Sequence, residues 1–508
     1  MTTPDLPPEI WQEILSHGSP SAVMKMMGVS RFLFERALDY KYEGMRLISD
    51  GEREIWRFEQ LNKPSIARRV QRLYIRPTFL PAKPTDPPPE TSTPVRQYLA
   101  DARRACLKVA SGLWNPTRTG TDLDKPVDAT SRLLAAAANS LPNCSNLTEI
   151  SLVVHDLELT DKFISFLHTL WSAMGKQVRR FSLATTCSKF PALLATTFHD
   201  EQHHGIESLE FVIANSRFSG SSESQEAGES RRPSVEEKKA STAMSQFISL
   251  SHRTLTHLSI STVQEFDLSQ LFSTLALTPF PRLSKFELHC HLNTTMPSNS
   301  QTLVDLLDAN KQSLEHLCLY PRTGFGAYYP VASSLDSWLN KEFTQLTLPK
   351  LHTLEVGLRP MFDWTTQSPI TLPKLVPAIT PQLQALVIKS EGGFGAPEVR
   401  NVLEMTEGKL ERLEIYVHKF TLAILDSLAN ELTPKLQSLT VAYDKAAGCR
   451  YELEERATLR YPKWPLKQLR VGYKKSCGMI HPDPEMAEAI AQAVPGPVEV
   501  DVEYICPC

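Results

Sequence analysis

Leu410-Glu411-Arg412-Leu413-Glu414-Ile415 and Leu436-Gln437-Ser438-Leu439-Thr440-Val441 share one pattern, apolar at the first, fourth and sixth positions. One such hexamer means little, because apolar residues are common enough to make it by chance. Recurrence gives it weight. Units of this form open at Val70, Leu147, Val178, Ile206, Leu255, Leu283, Leu314, Leu351, Leu383, Leu410, Leu436 and Leu466. From Leu255 the steps are 28, 31, 37, 32, 27, 26 and 30 residues. Alternation within each unit predicts a strand with its apolar residues on one face. Residues 300–309, 397–407 and 421–432 predict helices between strands. Strand, turn, helix and return make one coil, and stacked coils line their strands into a parallel sheet.

Over residues 70–502 the pattern resembles leucine-rich-repeat proteins, whose units run about 20–29 residues. That resemblance implies an α/β solenoid with the parallel sheet on a concave face and helices on the convex one. The chain departs from the family in lacking a regular Asn after the strand, so irregular coils and uneven curvature are expected. Two steps are long. One holds a Pro-rich loop at 77–94 and a helix near 95–113. The other holds residues 215–241, whose Ser, Glu and Lys content cannot bury an apolar face and reads as a disordered insertion. Val498, Val500 and Val502 alternate as a closing strand, with 503–508 as a tail.

Length alone, at 508 residues, suggests about three domains, but a repeat stack can grow without splitting. The net charge of −3 argues against nucleic acid as a partner. No apolar run reaches the roughly 20 residues that span a bilayer, so no membrane partner is expected. The opening Met-Thr-Thr-Pro-Asp lacks a basic segment followed by an apolar one, as a secretory signal requires. Nine scattered cysteines read as reduced thiols, and the expected location is cytoplasmic or nuclear.

Ahead of the array, Pro7 and Pro8 suit the first turn of a helix. Ile10, Ile14 and Leu15 follow at helical spacing. Ser19-Pro20 starts a second helix bearing Val23, Met26 and Met27, and Ser30 can cap a third. Leu6-Pro7-Pro8-Glu9-Ile10, then Ile14-Leu15, then Val29-Ser30-Arg31, resembles an F-box over residues 5–46, in the form common among fungal F-box proteins. In that family the module binds the Skp adaptor of a Skp–cullin–F-box ubiquitin ligase. The resemblance places adaptor contacts at Leu6, Pro7, Pro8, Ile10, Ile14, Leu15, Val29 and Ser30. Gly18 stands where the family usually has an apolar residue. Residues 47–69 read as a linker helix. The alternative is a helical cap on the repeat stack.

Strand alternation also says which side chains face away from the core. The central row is Ser151, Ser182, Glu210, Ser259, Glu287, Cys318, Glu355, Val387, Glu414, Thr440 and Arg470, flanked by His257, Lys285, His289, His316, Tyr320, Arg412 and Tyr416. The expected target-binding set is Glu287, Glu355 and Glu414 with Tyr320 and Tyr416 as aromatic anchors. The plainer reading is a polar face whose acids are neutralised by their neighbours.

Nothing in the sequence makes a catalytic constellation. His199 and His203 stand at helical zinc spacing, but Asp200 replaces the required Glu and no third ligand follows. A metal-dependent hydrolase centred there is the remote alternative. Within His289-Cys290-His291, a strand sends the thiol to the opposite face from the imidazoles. The glycines at 324–326 and 392–395 lack the Lys-Ser/Thr of a phosphate loop. Arg231-Arg232-Pro233-Ser234 reads as a basophilic kinase site at Ser234. Cys506-Pro507-Cys508 reads as ordinary surface thiols. No cofactor or metal is expected. The chain reads as a non-catalytic substrate receptor, its partners being the Skp-type adaptor, a cullin through it, and a target protein.

Overall fold

A computed structural model describes residues 7, 9–11, 13, 20–26, 28–81, 126–155, 157–197, 205–214, 234–263, 266–290, 299, 301–321, 346–358, 382–390, 396–404, 406, 408–446, 461–474 and 480–501. Two compact units emerge, one within Met1–Val178 and one carrying the described residues from Arg179 onward.

In the first unit, β1 (Gly44–Leu47), β2 (Arg72–Ile75) and β3 (Glu149–Val154) are parallel neighbours in chain order. The array therefore begins at β1, ahead of the expected opening at Val70. Tyr42-Glu43-Gly44-Met45-Arg46-Leu47 is a unit of the same form, with Tyr42, Met45 and Leu47 all buried. Tyr and Met in place of Leu hid it. The expected linker helix is instead the last residue of β1 followed by two helices, Glu52–Gln60 and Pro64–Ala67, with Pro64 at the start of the latter. Ahead of β1 lie helices Pro20–Lys25 and Arg31–Tyr42.

The second unit runs β4 (Arg180–Thr186), β5 (Ser208–Ala214), β6 (His257–Thr262), β7 (Lys285–Cys290), β8 (His316–Pro321), β9 (Thr353–Leu358), β10 (Ala385–Ser390), β11 (Arg412–Phe420), β12 (Ser438–Ala446) and β13 (Gln468–Lys474). Each pairs in parallel with the next. The expected closing strand is β15 (Glu499–Asp501), parallel to the first half of β13; β14 (Ile480–Pro482) covers its second half antiparallel.

From β2 to β13 every strand starts two residues after its opener, and all twelve openers are buried along with the fourth and sixth residues of their units. Helices Gln301–Ala309 and Ala396–Glu404 stand where the sequence places them. The third, capped by Thr421, runs Leu422–Asp426 and widens into a π turn, Ser427–Leu432. Main chain joins successive coils ahead of their strands. The carbonyl just before a strand accepts two successive N–H groups from the next coil: Thr256 O takes Ser284 and Lys285, Ser284 O takes Glu315 and His316, and Glu411 O takes Gln437 and Ser438, all at 2.8–3.0 Å. No side chain is needed for that join, so the sequence carries no mark of it.

Residues 234–241, expected inside a disordered insertion, form the cap and first turns of helix Val235–Leu250. Ser234 Oγ accepts the Glu237 N–H, and the Glu237 carboxylate accepts the Ser234 N–H, a closed capping box. Deeper in, Phe247 lies 5.6 Å from the Phe181 ring and 6.1 Å from that of Phe211. The polar composition is a helix with one small-residue face, Ala240, Ser241, Ala243 and Ser245, buried. Residues 215–233, and most of the Pro-rich loop, lie outside the described residues.

Candidate functional site

The first candidate surface is the helical segment before β1. Ile10 N–H and Trp11 N–H both donate to Pro7 O, at 3.1 and 3.2 Å, which starts a helix at the expected place. Ser30 caps helix Arg31–Tyr42, its Oγ accepting the Leu33 N–H at 3.2 Å. Val23, Leu33 and Ala37 form a small core of their own, with Trp11, Met24, Met26 and Phe32 packed against it. Ile10 is 48% exposed and Val29 68%. Of the expected adaptor contacts, Leu6, Pro8, Ile14 and Leu15 lie outside the described residues. Phe34, Tyr40 and Trp56 are also well exposed, and none of them is among the expected adaptor contacts.

Arg69 ties these helices to the first coil. Its largely buried guanidinium bonds the Glu35 and Asp39 carboxylates, reaches Glu35 O at 2.9 Å, and its Nε reaches Ser65 O at 2.9 Å. These contacts hold the guanidinium pKa above its ordinary value against the opposing effect of burial.

The second candidate surface is the sheet face opposite the core in the second unit. The registers Ser182↔Glu210↔Ser259↔Glu287↔Cys318↔Glu355↔Val387↔Glu414↔Thr440↔Arg470 reproduce the expected row, strand by strand. None of its four glutamates stands alone. Lys285 Nζ lies 2.6 Å from Glu287 Oε1, with His257 Nε2 at 3.6 Å and His289 Nε2 3.9 Å from Oε2. The His257 and His289 contacts, and then the Lys285 ammonium, hold the Glu287 carboxyl well below its ordinary range, outweighing burial. His316 Nε2 is 3.1 Å from Glu355 Oε1, and the Tyr320 hydroxyl donates to Glu355 Oε2 at 2.7 Å. Arg412 is 3.8 Å from Glu414, and Ser182 Oγ donates to Glu210 at 2.8 Å. Cations thus stand beside Glu287 and Glu414, while a hydroxyl bonds Glu210 and an imidazole and a hydroxyl hold Glu355.

The two aromatic anchors diverge. Tyr320 is partly buried against the His289 ring, 5.0 Å between centroids; burial first, then the Glu355 charge, pushes its hydroxyl pKa up. Tyr416 is only 6% exposed and packs with Ala442, its hydroxyl bonded to Asp444. It presents no free ring to a partner. Sequence alternation gave its side of the sheet, not its depth.

Other expected chemistry is sparse. Cys290 is buried on the core side while His289 faces the opposite way, as the strand requires. Burial pushes the Cys144 thiol up to about 12 and Cys290 higher still, so neither is a nucleophile at neutral pH. Among the described residues no three His, Cys, Asp or Glu side chains gather as metal ligands, and no helix is long and apolar enough to cross a membrane. His199, His203 and both glycine clusters lie outside the described residues. Ser234 is exposed at its helix start.

No family model matches this sequence, and no curated protein matches it. Among solved structures it is similar to the leucine-rich repeat-containing protein LegL7 from Legionella pneumophila, at 13% identity over 89% of this chain and 97% of that one. The TM-score of 0.31 is too low to carry an argument. The repeat architecture stands on its own strand pairing.

Proposed function

We propose that this chain is the substrate-receptor subunit of a Skp–cullin–F-box-type ubiquitin ligase. On this reading the helices up to Tyr42 hold the Skp-type adaptor, and the array face opposite the core holds a target protein. One observation carries it: the helical segment has a core of its own around Leu33, yet leaves Ile10 and Val29 outside. A cap would turn its apolar residues onto the neighbouring coil, whereas a docking module keeps some for its partner. The chain would supply proximity and effective concentration to catalysts on other subunits, and no chemistry of its own.

The test is co-expression with a Skp-type adaptor. Wild type should co-purify with it, and Ile10→Asp with Val29→Asp should not; a wild-type chain that elutes without adaptor overturns the proposal. A second reading, an interaction scaffold without a ligase role, draws support from Arg69, which binds the helical segment to the first coil as a cap would be bound. The same co-purification separates the two.

A further inference from the structure

A parallel array has an unpaired strand edge at each end. At the last strand, β15 and β14 share the cover of β13. The first edge, on β1, has no covering strand among the described residues. Its hydrogen bonds show which groups point outward. Arg72 N–H donates to Glu43 O and Arg76 N–H to Leu47 O, in the register Gly44↔Arg72 to Leu47↔Ile75. Bonding residues alternate along a parallel strand, so Glu43, Met45 and Leu47 turn their main chain toward β2. The N–H and C=O groups of Gly44 and Arg46 turn the other way, and nothing among the described residues bonds them. Gly44 is exposed and has no side chain, so what it exposes is main chain. A methyl group added there would meet nothing within 4 Å.

Charge is the second, independent observation. Arg46 is exposed on the side of β1 away from the core, in register with Tyr74 of β2. Arg76, also exposed, lies two residues past Tyr74. Among the described residues neither Arg46 nor Arg76 has an ion-pair partner, whereas Arg72 is held by Glu43.

We propose that the β1 edge takes an extended segment of a partner protein, alternately acidic and apolar, as an added strand. Its carboxylates fall on the side of Arg46 and Arg76, where opposite charges on neighbouring strands attract. Its apolar residues fall on the side of the buried Met45 and Leu47 and continue the core face. Its main chain pairs with Gly44 and Arg46, the mode by which a peptide extends a sheet. Two copies of this chain joined edge to edge would bring Arg46 near its like, which destabilises the pairing. The site does not depend on the ligase reading.

The test uses the full chain and labelled peptides, read by fluorescence anisotropy near physiological salt. One peptide is three Glu-Val repeats; its control has the same composition in blocks, three valines and then three glutamates. The alternating peptide should bind about tenfold more tightly. Arg46→Glu with unchanged circular dichroism should lose that preference. N-methylation reads the main-chain pairing. With the glutamates on the Arg46 side, parallel addition uses the valine N–H groups and antiparallel addition the glutamate ones. Methylating one set should therefore abolish binding, and methylating the other should not. Equal affinities, no binding of either peptide, an unaltered preference in Arg46→Glu, or the same response to both methylations overturns the proposal. So does a wild-type chain that is dimeric by light scattering and becomes monomeric when Arg46→Pro removes the outward N–H, which gives the edge to a second copy.

Discussion

Arg69 and Glu287 show how the surroundings of a charge decide what it contributes. The Arg69 side chain is 8% exposed while its carboxylate partners are 44% exposed. Breaking a fully buried pair costs roughly 3–5 kcal/mol, but here the acids left behind can rehydrate. Arg69→Met should therefore cost about 1–3 kcal/mol, read as a lower urea midpoint. It should also loosen amide protection in helix Arg31–Tyr42 while leaving β5–β12 protected; uniform loss of protection would deny the local role. Glu287 is a pH-dependent case. Its carboxyl pKa is depressed in the folded chain below the ordinary 4.5. The folded state therefore binds fewer protons than the unfolded one near that value, and stability rises with pH there. The Glu287 contribution should be complete above about pH 5 and fade as pH falls through 4.5 and below. Comparing wild type with Glu287→Gln in urea across that range checks it: the difference should shrink on acidification, and a constant or growing difference refutes the assignment.

At the scale of elements, the strands were legible and their surroundings less so. Each core strand needs three apolar residues at fixed offsets, and a spaced pattern survives any amount of loop variation. β1 escaped because Tyr42 and Met45 fill the offsets where Leu was sought. β14 escaped because three residues carry no period. At the start of helix Val235–Leu250 composition and capping point opposite ways: the polar content suggests disorder, whereas Ser234-Val235-Glu236-Glu237 holds the Ser-x-x-Glu signature of a helix start. In the candidate site, alternation found the central row from Ser182 to Arg470 and the sides of Tyr320 and Tyr416. It could not find Asp444, which holds the Tyr416 hydroxyl from the next coil. Ser234→Ala removes one half of the capping box and should cost about 1 kcal/mol. The loss should appear as faster amide exchange confined to the first turn, since Phe247 anchors the helix from its other end. Loss of protection along the whole helix would mean the cap, not the aromatic packing, holds it.

For the whole molecule, the open end of the array sets a requirement that no single coil can meet. A parallel stack leaves its last strand with unpaired N–H and C=O groups, a template for another chain. Here the free edge of β13 is divided: β15 covers Gln468–Arg470 and β14 covers Gly472–Lys474. Between them helix Pro484–Gln492 buries Met486, Ala487 and Ile490. Asp483 serves both sides of this closure, accepting the Met486 N–H as helix cap and the Tyr443 hydroxyl from β12. Tyr461 N–H donates to Ala493 O at 3.0 Å, fastening the approach to the last coil. Deleting residues 480–508 should therefore do two things at once. Removing two large apolar side chains from the core forfeits about 1.5–3 kcal/mol each, which lowers the melting temperature. Baring the β13 edge should drive self-association, visible as higher mass in light scattering. Deleting only 502–508 keeps both covering strands and should leave the chain's mass and melting temperature as they were. If the longer deletion also stays monomeric and melts at the wild-type temperature, then β14, β15 and the helix between them do not close the array.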